Sequence, residues 1–139
     1  MMRFVKRGLI LLSCLVTAAC ASHVGTREDF EHSMKSYNSL LRWREVENAG
    51  MVYLDPALRD AFMKEAADIK KRGVTITDYR ILTSECLPDK GSAEVITEFD
   101  YYILPSTRIK TLTYRQEWSY REEGERKGWR LESGLPAFE

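Results

Sequence analysis

Gly73 divides this chain into two stretches whose apolar residues recur with different periods, and a chain patterned that way folds as helices followed by strands. Ahead of it, Phe30, Met34, Tyr37 and Leu41 recur at helical spacing. Leu40, Trp43 and Val46 widen that stripe, and Glu31, Lys35, Arg42 and Glu45 fall largely off it. Thr26 with Asp29 three residues on has the form of a capping box, in which hydroxyl and carboxylate satisfy unpaired backbone N–H groups. Gly50 offers a stop, so the spacing predicts one helix over 26–50. Asp55-Pro56 starts a second, because an Asp cap accepts N–H bonds and Pro suits the first helical position. Leu58, Ala61, Phe62, Ala66 and Ile69 form its predicted apolar face. Lys70, Lys71 and Arg72 close it where positive charge suits the negative helix end, and the same triplet also suits anionic headgroups.

Beyond Gly73 the apolar residues alternate. Residues 74–87 are rich in Thr, Ile and Tyr, and 92–104 place Ala93, Val95, Phe99, Tyr101 and Ile103 on one face with Glu94, Glu98 and Asp100 on the other. Pro88-Asp89-Lys90-Gly91 supplies turn chemistry between them, and Pro105-Ser106-Thr107 ends the pair. Residues 108–121 set Leu112, Tyr114, Trp118 and Tyr120 against Thr111, Thr113, Arg115 and Glu117, and a charged loop over 122–128 leads to a last strand over 129–135. The expected fold class is α+β: two N-terminal helices packed on one face of a curved antiparallel sheet of about four strands.

The first nineteen residues follow different rules. Met1 to Arg7 is short and basic, Gly8 to Val16 is apolar, and Thr17-Ala18-Ala19 brings small residues up to Cys20, the three parts of a secretory signal. Nine apolar residues make only about 14 Å of helix against a hydrocarbon core of about 30 Å, too short for a stable span. Small residues ending in cysteine resemble the lipobox of bacterial lipoproteins, although Thr17 stands three places before Cys20 where Leu is commonest. The resemblance implies a diacylglyceryl group on the Cys20 thiol, cleavage just before it, and, with Ala21 rather than Asp next, an outer-membrane location facing the periplasm. An ordinary cleaved signal followed by a chance cysteine is the alternative reading. The implied organisation is a signal peptide over 1–19, a lipidated cysteine and tether over 20–25, and one domain over 26–139. Ala21 to Gly25 extends about 17 Å at most, which keeps the domain beside the membrane.

Removal of the signal takes Arg3, Lys6 and Arg7 with it and leaves 18 basic residues against 21 acidic ones, a net charge near −3. That balance provides no electrostatic footprint for duplex nucleic acid. With Cys14 removed and Cys20 acylated, Cys86 is the one remaining thiol; no disulfide is expected, and a buried core position is.

The helix pair, the long paired strands, and the ending Gln116-x-Trp118-x-Tyr120, charged loop, Gly128-Trp129-Arg130-Leu131 and Leu135-Pro136 resemble the nuclear transport factor 2-like superfamily. That resemblance implies a cone-shaped domain with helices set into a strongly bent sheet. Its ketosteroid isomerase and polyketide cyclase relatives imply an alternative, a small enzyme with a buried Asp base and a Tyr donor; the candidates are Asp78 and Asp100, with Tyr37, Tyr53 or Tyr101. The residues themselves offer little catalytic machinery. His23 and His32 are too isolated for a nucleophilic triad, no metal-ligand spacing occurs, and the glycines form no phosphate loop. No catalytic residue, metal or cofactor is therefore expected. Tyr53, Tyr79, Tyr101, Tyr114, Trp118 and Trp129, with Tyr120 beside them, are the candidates to line a ligand cleft between helices and sheet, each presenting apolar area and a polar handle; filling the core is the other reading of every one. Ile96, Tyr102, Leu104 and Ile109 lie opposite the main stripes and would form a patch suited to a homodimer or an envelope protein partner. The expected function is a membrane-anchored, noncatalytic module that binds an apolar small molecule or such a partner.

Overall fold

The computed structural model describes residues 26–123 and 126–139. The predicted signal peptide, Cys20 and its tether, His23 and the tip of the last hairpin lie outside the described residues. Within the described span three helices precede a four-stranded antiparallel sheet: α1 over 26–42, α2 Val46–Tyr53, a 3-10 turn Pro56–Leu58 leading into α3 Arg59–Lys71, then β1 Val74–Leu87, β2 Ser92–Ile103, β3 Lys110–Glu123 and β4 Arg126–Leu131. Among the described residues, no helix is long and apolar enough to cross a membrane.

The helix predicted over 26–50 is in fact two. Arg44 adopts a left-handed backbone with φ 64°, its N–H bonds to the Leu41 carbonyl at 3.2 Å, and the Glu45 N–H reaches back to Leu40 at 2.9 Å. Those paired bonds are a Schellman stop, which most often has glycine at the left-handed position. The break swings Trp43 out of the stripe, so that it is 67% exposed with the Arg42 guanidinium 5.0 Å from its ring centroid. Val46, by contrast, turns inward at the start of α2. Thr26 is already helical at the edge of the described residues, and its carbonyl accepts the Trp129 indole N–H at 3.0 Å.

Gly50 stops nothing. It lies inside α2, where a Cβ would stand 2.6 Å from Cδ1 of the buried Phe62. Ala for Gly inside a helix ordinarily gains up to about 1 kcal/mol, whereas overpacking costs about 1–3 kcal/mol. Because Phe62 is walled in, overpacking wins: Gly50→Ala is expected to lower the midpoint of urea unfolding, and a raised midpoint would show that α2 and α3 are less tightly joined.

Asp55 begins the second helical segment as expected, its Oδ1 accepting the Ala57 N–H at 3.0 Å. The 3-10 turn shifts the helical phase, and α3 buries Phe62, Ala66 and Ile69 but leaves Leu58 and Ala61 exposed, contrary to the predicted face. Gly73, with φ 75°, ends α3.

The strands lie in the order β1-β2-β3-β4, each antiparallel to the next. Two register shifts in β1, between Ile76 and Asp78 and between Ile81 and Thr83, bend that edge, since an extra residue sharpens local twist. The inner face carries Val95, Thr97, Phe99, Tyr114, Gln116 and Trp118, all buried. α1 lies against it through Phe30 and Tyr37, whose rings meet Trp118 edge-on at 6.0 and 5.7 Å. Cys86 is free and buried. Beyond β4 the chain returns over α3. The Glu65 carboxylate accepts the Leu135 N–H at 3.0 Å, Arg72 donates to the Phe138 carbonyl, and the Phe138 ring packs edge-on against Tyr101 at 5.0 Å.

A candidate apolar cleft at the open end of the sheet

The middle of the molecule is filled. Tyr101, Tyr114, Trp118 and Trp129 are at most 4% exposed, and Tyr53 and Tyr79 pack half-buried against the same core. Edge-on rings join Phe30 to Trp129 at 5.0 Å and Tyr53 to Trp118 at 6.1 Å. These six aromatics, together with Tyr120, build the core.

Set into that core is a polar cluster. Gln116 Nε2 donates to Asn38 Oδ1 at 2.7 Å, Asn38 Nδ2 donates to the Met34 carbonyl at 2.8 Å, and the Trp118 indole reaches Gln116 Oε1 at 3.3 Å. The Tyr37 and Tyr114 hydroxyls meet at 3.0 Å, and Tyr114 donates onward to the Gly134 carbonyl at 2.7 Å. Burial raises the pKa of both tyrosines above the ordinary phenol value, because the phenolate would lose its hydration. Every member is satisfied within the protein, so the cluster joins α1 to β3 and offers no free group to a ligand.

The most apolar opening lies at one end, where α1 stops, α2 and α3 converge and β1 begins. It is a cleft of about 280 Å³ walled by Leu41, Val46, Ala66, Ile69, Val74 and Ile76, with the buried Thr75 among them. Leu104 forms one lip over Gly73, where a Cβ would stand 2.9 Å from the leucine Cβ. Arg44, Glu47 and Lys70 also line the cleft and are themselves exposed, which sets them at its mouth. None of the six aromatics selected from the sequence lines this cleft; aliphatic residues do. The missed residues are Arg44, Leu104 and the Ala66–Val74 wall, and no local sequence signal marks them as a site.

Neither candidate base enters the interior. Asp78 is exposed on β1, its Oδ1 accepting the Tyr79 N–H at 2.8 Å. Asp100 lies on the outer face, where Arg80 donates to it at 2.8 Å and the Thr111 hydroxyl at 2.7 Å. Those bonds, the Arg80 ones foremost, favour the carboxylate and hold its pKa down to about 2, the opposite of what a proton-abstracting base needs. Because the folded value lies below the ordinary 3.8, the clamp contributes stability above that pH and loses it as pH falls toward 2. A carbon-detected titration should show the Asp100 midpoint near 2, and Arg80→Met should return it toward 3.8. An unmoved midpoint would remove the clamp.

The same ion pairs divide the patch expected on the outer face. Ile96 and Tyr102 are six residues apart on β2, about 20 Å at 3.3 Å per residue, with Glu98 and Asp100 tied to Arg80 between them. Both are half-buried, whereas Leu104, at the cleft, and Ile109 are exposed. On the helical side Trp43, Met51, Val52 and Leu58 are also exposed apolar side chains. Among the described residues, no group of three His, Cys, Asp or Glu side chains converges to hold a metal ion.

No family model matches the chain, and no curated protein matches it. Among solved structures it is similar to the intermembrane space region of chloroplast protein ARC6, with a TM-score of 0.48 at 12% identity, covering 78% of this chain and 92% of that one.

Proposed function

We propose that this chain is a membrane-anchored envelope lipoprotein whose nuclear transport factor 2-like domain is a noncatalytic binding module for an apolar small molecule. The observation that carries the reading is the aliphatic cleft of about 280 Å³ left open beside an otherwise filled core. Ligand sites are concave and mostly apolar with a few polar groups at defined places, and this cleft has that make-up at slightly below the usual volume of about 300–1,000 Å³. The lipobox-like run ending at Cys20 supports the anchor, attached to the bacterial outer membrane and facing the periplasm; acyl chains add about 0.8 kcal/mol per buried methylene, so two or three hold firmly. The isomerase or cyclase alternative needs an Asp beside a Tyr inside the cone, and with Asp78 and Asp100 outside it we propose no proton-transfer step.

A second reading, an envelope protein partner or a second copy of this chain, is favoured by exposed Trp43, Met51, Val52 and Leu58 on the helical side. Native mass spectrometry after gentle extraction separates the two. A copurifying noncovalent mass on a monomer supports the small-molecule reading, and a stable oligomer without such a mass overturns it in favour of the partner. The anchor is tested by Cys20→Ser expressed with a labelled fatty acid; label is expected on the parent alone, and label persisting on the variant contradicts lipidation at Cys20.

A further inference from the structure

We infer that the cleft takes a free, single-chain anionic amphiphile, an aliphatic carboxylate of roughly eight to ten carbons, with Arg44 and Lys70 receiving the head group. This rests on the binding reading above and adds the ligand class. Size sets the chain: an engineered apolar cavity of about 150 Å³ takes up benzene, with six heavy atoms, so about 280 Å³ holds roughly eleven in proportion. Apart from Thr75 the buried wall is aliphatic, which suits an alkyl chain better than a ring with several polar substituents.

Charge sets the head group. Arg72, Arg80, Arg115 and Arg121 are each engaged by carboxylates. Arg44 and Lys70 make no ion pair or side-chain hydrogen bond among the described residues, yet both line the same cleft at its mouth. Against the single acid there, Glu47, the mouth is net positive on a mature chain whose overall charge is near −3. Arg44 has a second mark. It occupies the left-handed position of the α1 stop, where glycine is the less strained residue, and strain of this kind persists where the side chain is needed.

Position sets the source. The seventeen residues of α1 put roughly 25 Å between residue 26, next to the tether, and Arg44 at the cleft, which favours a ligand arriving from solution over one drawn from the bilayer beside the anchor.

The test uses the full chain in phosphatidylcholine nanodiscs, titrated calorimetrically with octanoate and with 1-octanol against empty nanodiscs. Octanoate is expected to bind saturably and at least about tenfold more tightly than octanol, as the energy of one charge-assisted contact implies. Arg44→Gly and Lys70→Gln should each weaken octanoate about threefold or more and leave octanol unchanged, while Glu47→Gln tightens octanoate. Arg44→Gly should melt at or above the parent temperature, so its loss of binding cannot be unfolding. Leu104→Trp, at an exposed lip that tolerates bulk, should block both ligands. Equal binding of octanoate and octanol, indifferent to the charge variants, overturns the head-group assignment and leaves the binding reading standing. Absence of both ligands overturns the two together. Binding to phosphatidylglycerol vesicles that Arg44→Gly weakens and Leu104→Trp does not, without octanoate binding, overturns the inference in favour of a bilayer-facing rim.

Discussion

Trp118→Ala is expected to remove about 3–5 kcal/mol of stability, the range for truncating a buried Trp or Phe, from a domain whose total is of order 5–15 kcal/mol. Trp118 is 2% exposed and stands where α1, α2 and β3 meet, with the rings of Phe30, Tyr37 and Tyr53 all within 6.1 Å of it, centroid to centroid. No single neighbour can collapse into the space, because Phe30 and Tyr37 are held a helical turn or more apart on α1 and Tyr53 is held on α2. For a domain of this size the loss corresponds to a fall in melting temperature on the order of 15 °C or more, read by circular dichroism. A fall of only a few degrees would mean that the centre of the sheet is not packed as described.

Gln116→Leu is the second large effect, at about 2–4 kcal/mol. It strands the Asn38 Oδ1 acceptor and the Trp118 indole N–H, both buried, and an orphaned buried polar group costs its full desolvation. The double variant Asn38→Leu with Gln116→Leu should cost clearly less than the two single changes added together, since most of each single penalty is the partner left unpaired. Urea unfolding of the four proteins measures that coupling. Strict additivity would mean that Asn38 and Gln116 do not depend on each other, and the polar tie between α1 and β3 would be lost.

The architecture was largely readable from the residues. Alternation beyond Gly73 placed the first three strands and their inner faces, and Asp55-Pro56 and Pro88 to Gly91 marked real chain reversals. The last strand, expected over 129–135, is instead Arg126–Leu131, because pairing runs on through the charged residues expected to form a loop. What escaped reading has identifiable causes. The break between α1 and α2 was hidden because Arg44, not glycine, holds the left-handed position, while Gly50 is small for packing against Phe62 rather than for turning. Leu58 and Ala61 were assigned inward because a 3-10 turn advances the chain by a different angle from an α-helix. The Asn38–Gln116 pair spans 78 positions, beyond any local pattern.

The site itself was the least legible part. Tyr53, Tyr79, Tyr101, Tyr114, Trp118 and Trp129 have the same amphipathic character whether they line a cleft or fill a core, and alternation does not distinguish the two uses. The cleft arises from where α1, α3 and β2 stop, and it is walled by residues such as Ala66, Val74 and Leu104 that carry no chemical signature. Arg44 and Lys70 become conspicuous only when the fold brings the ends of two helices, 26 positions apart, to one mouth.

That cleft beside a filled core is what the functional reading depends on, and xenon probes it without regard to ligand chemistry, because dry apolar cavities take up the gas. Methyl-resolved NMR of the folded chain under xenon pressure should shift the resonances of Leu41, Val46, Ile69, Val74, Ile76 and Leu104 in a saturable way, with Val95 and Leu131 deep in the core unmoved. Shifts centred on Val95 and Leu131, or none above the uniform effect of pressure, would contradict the account.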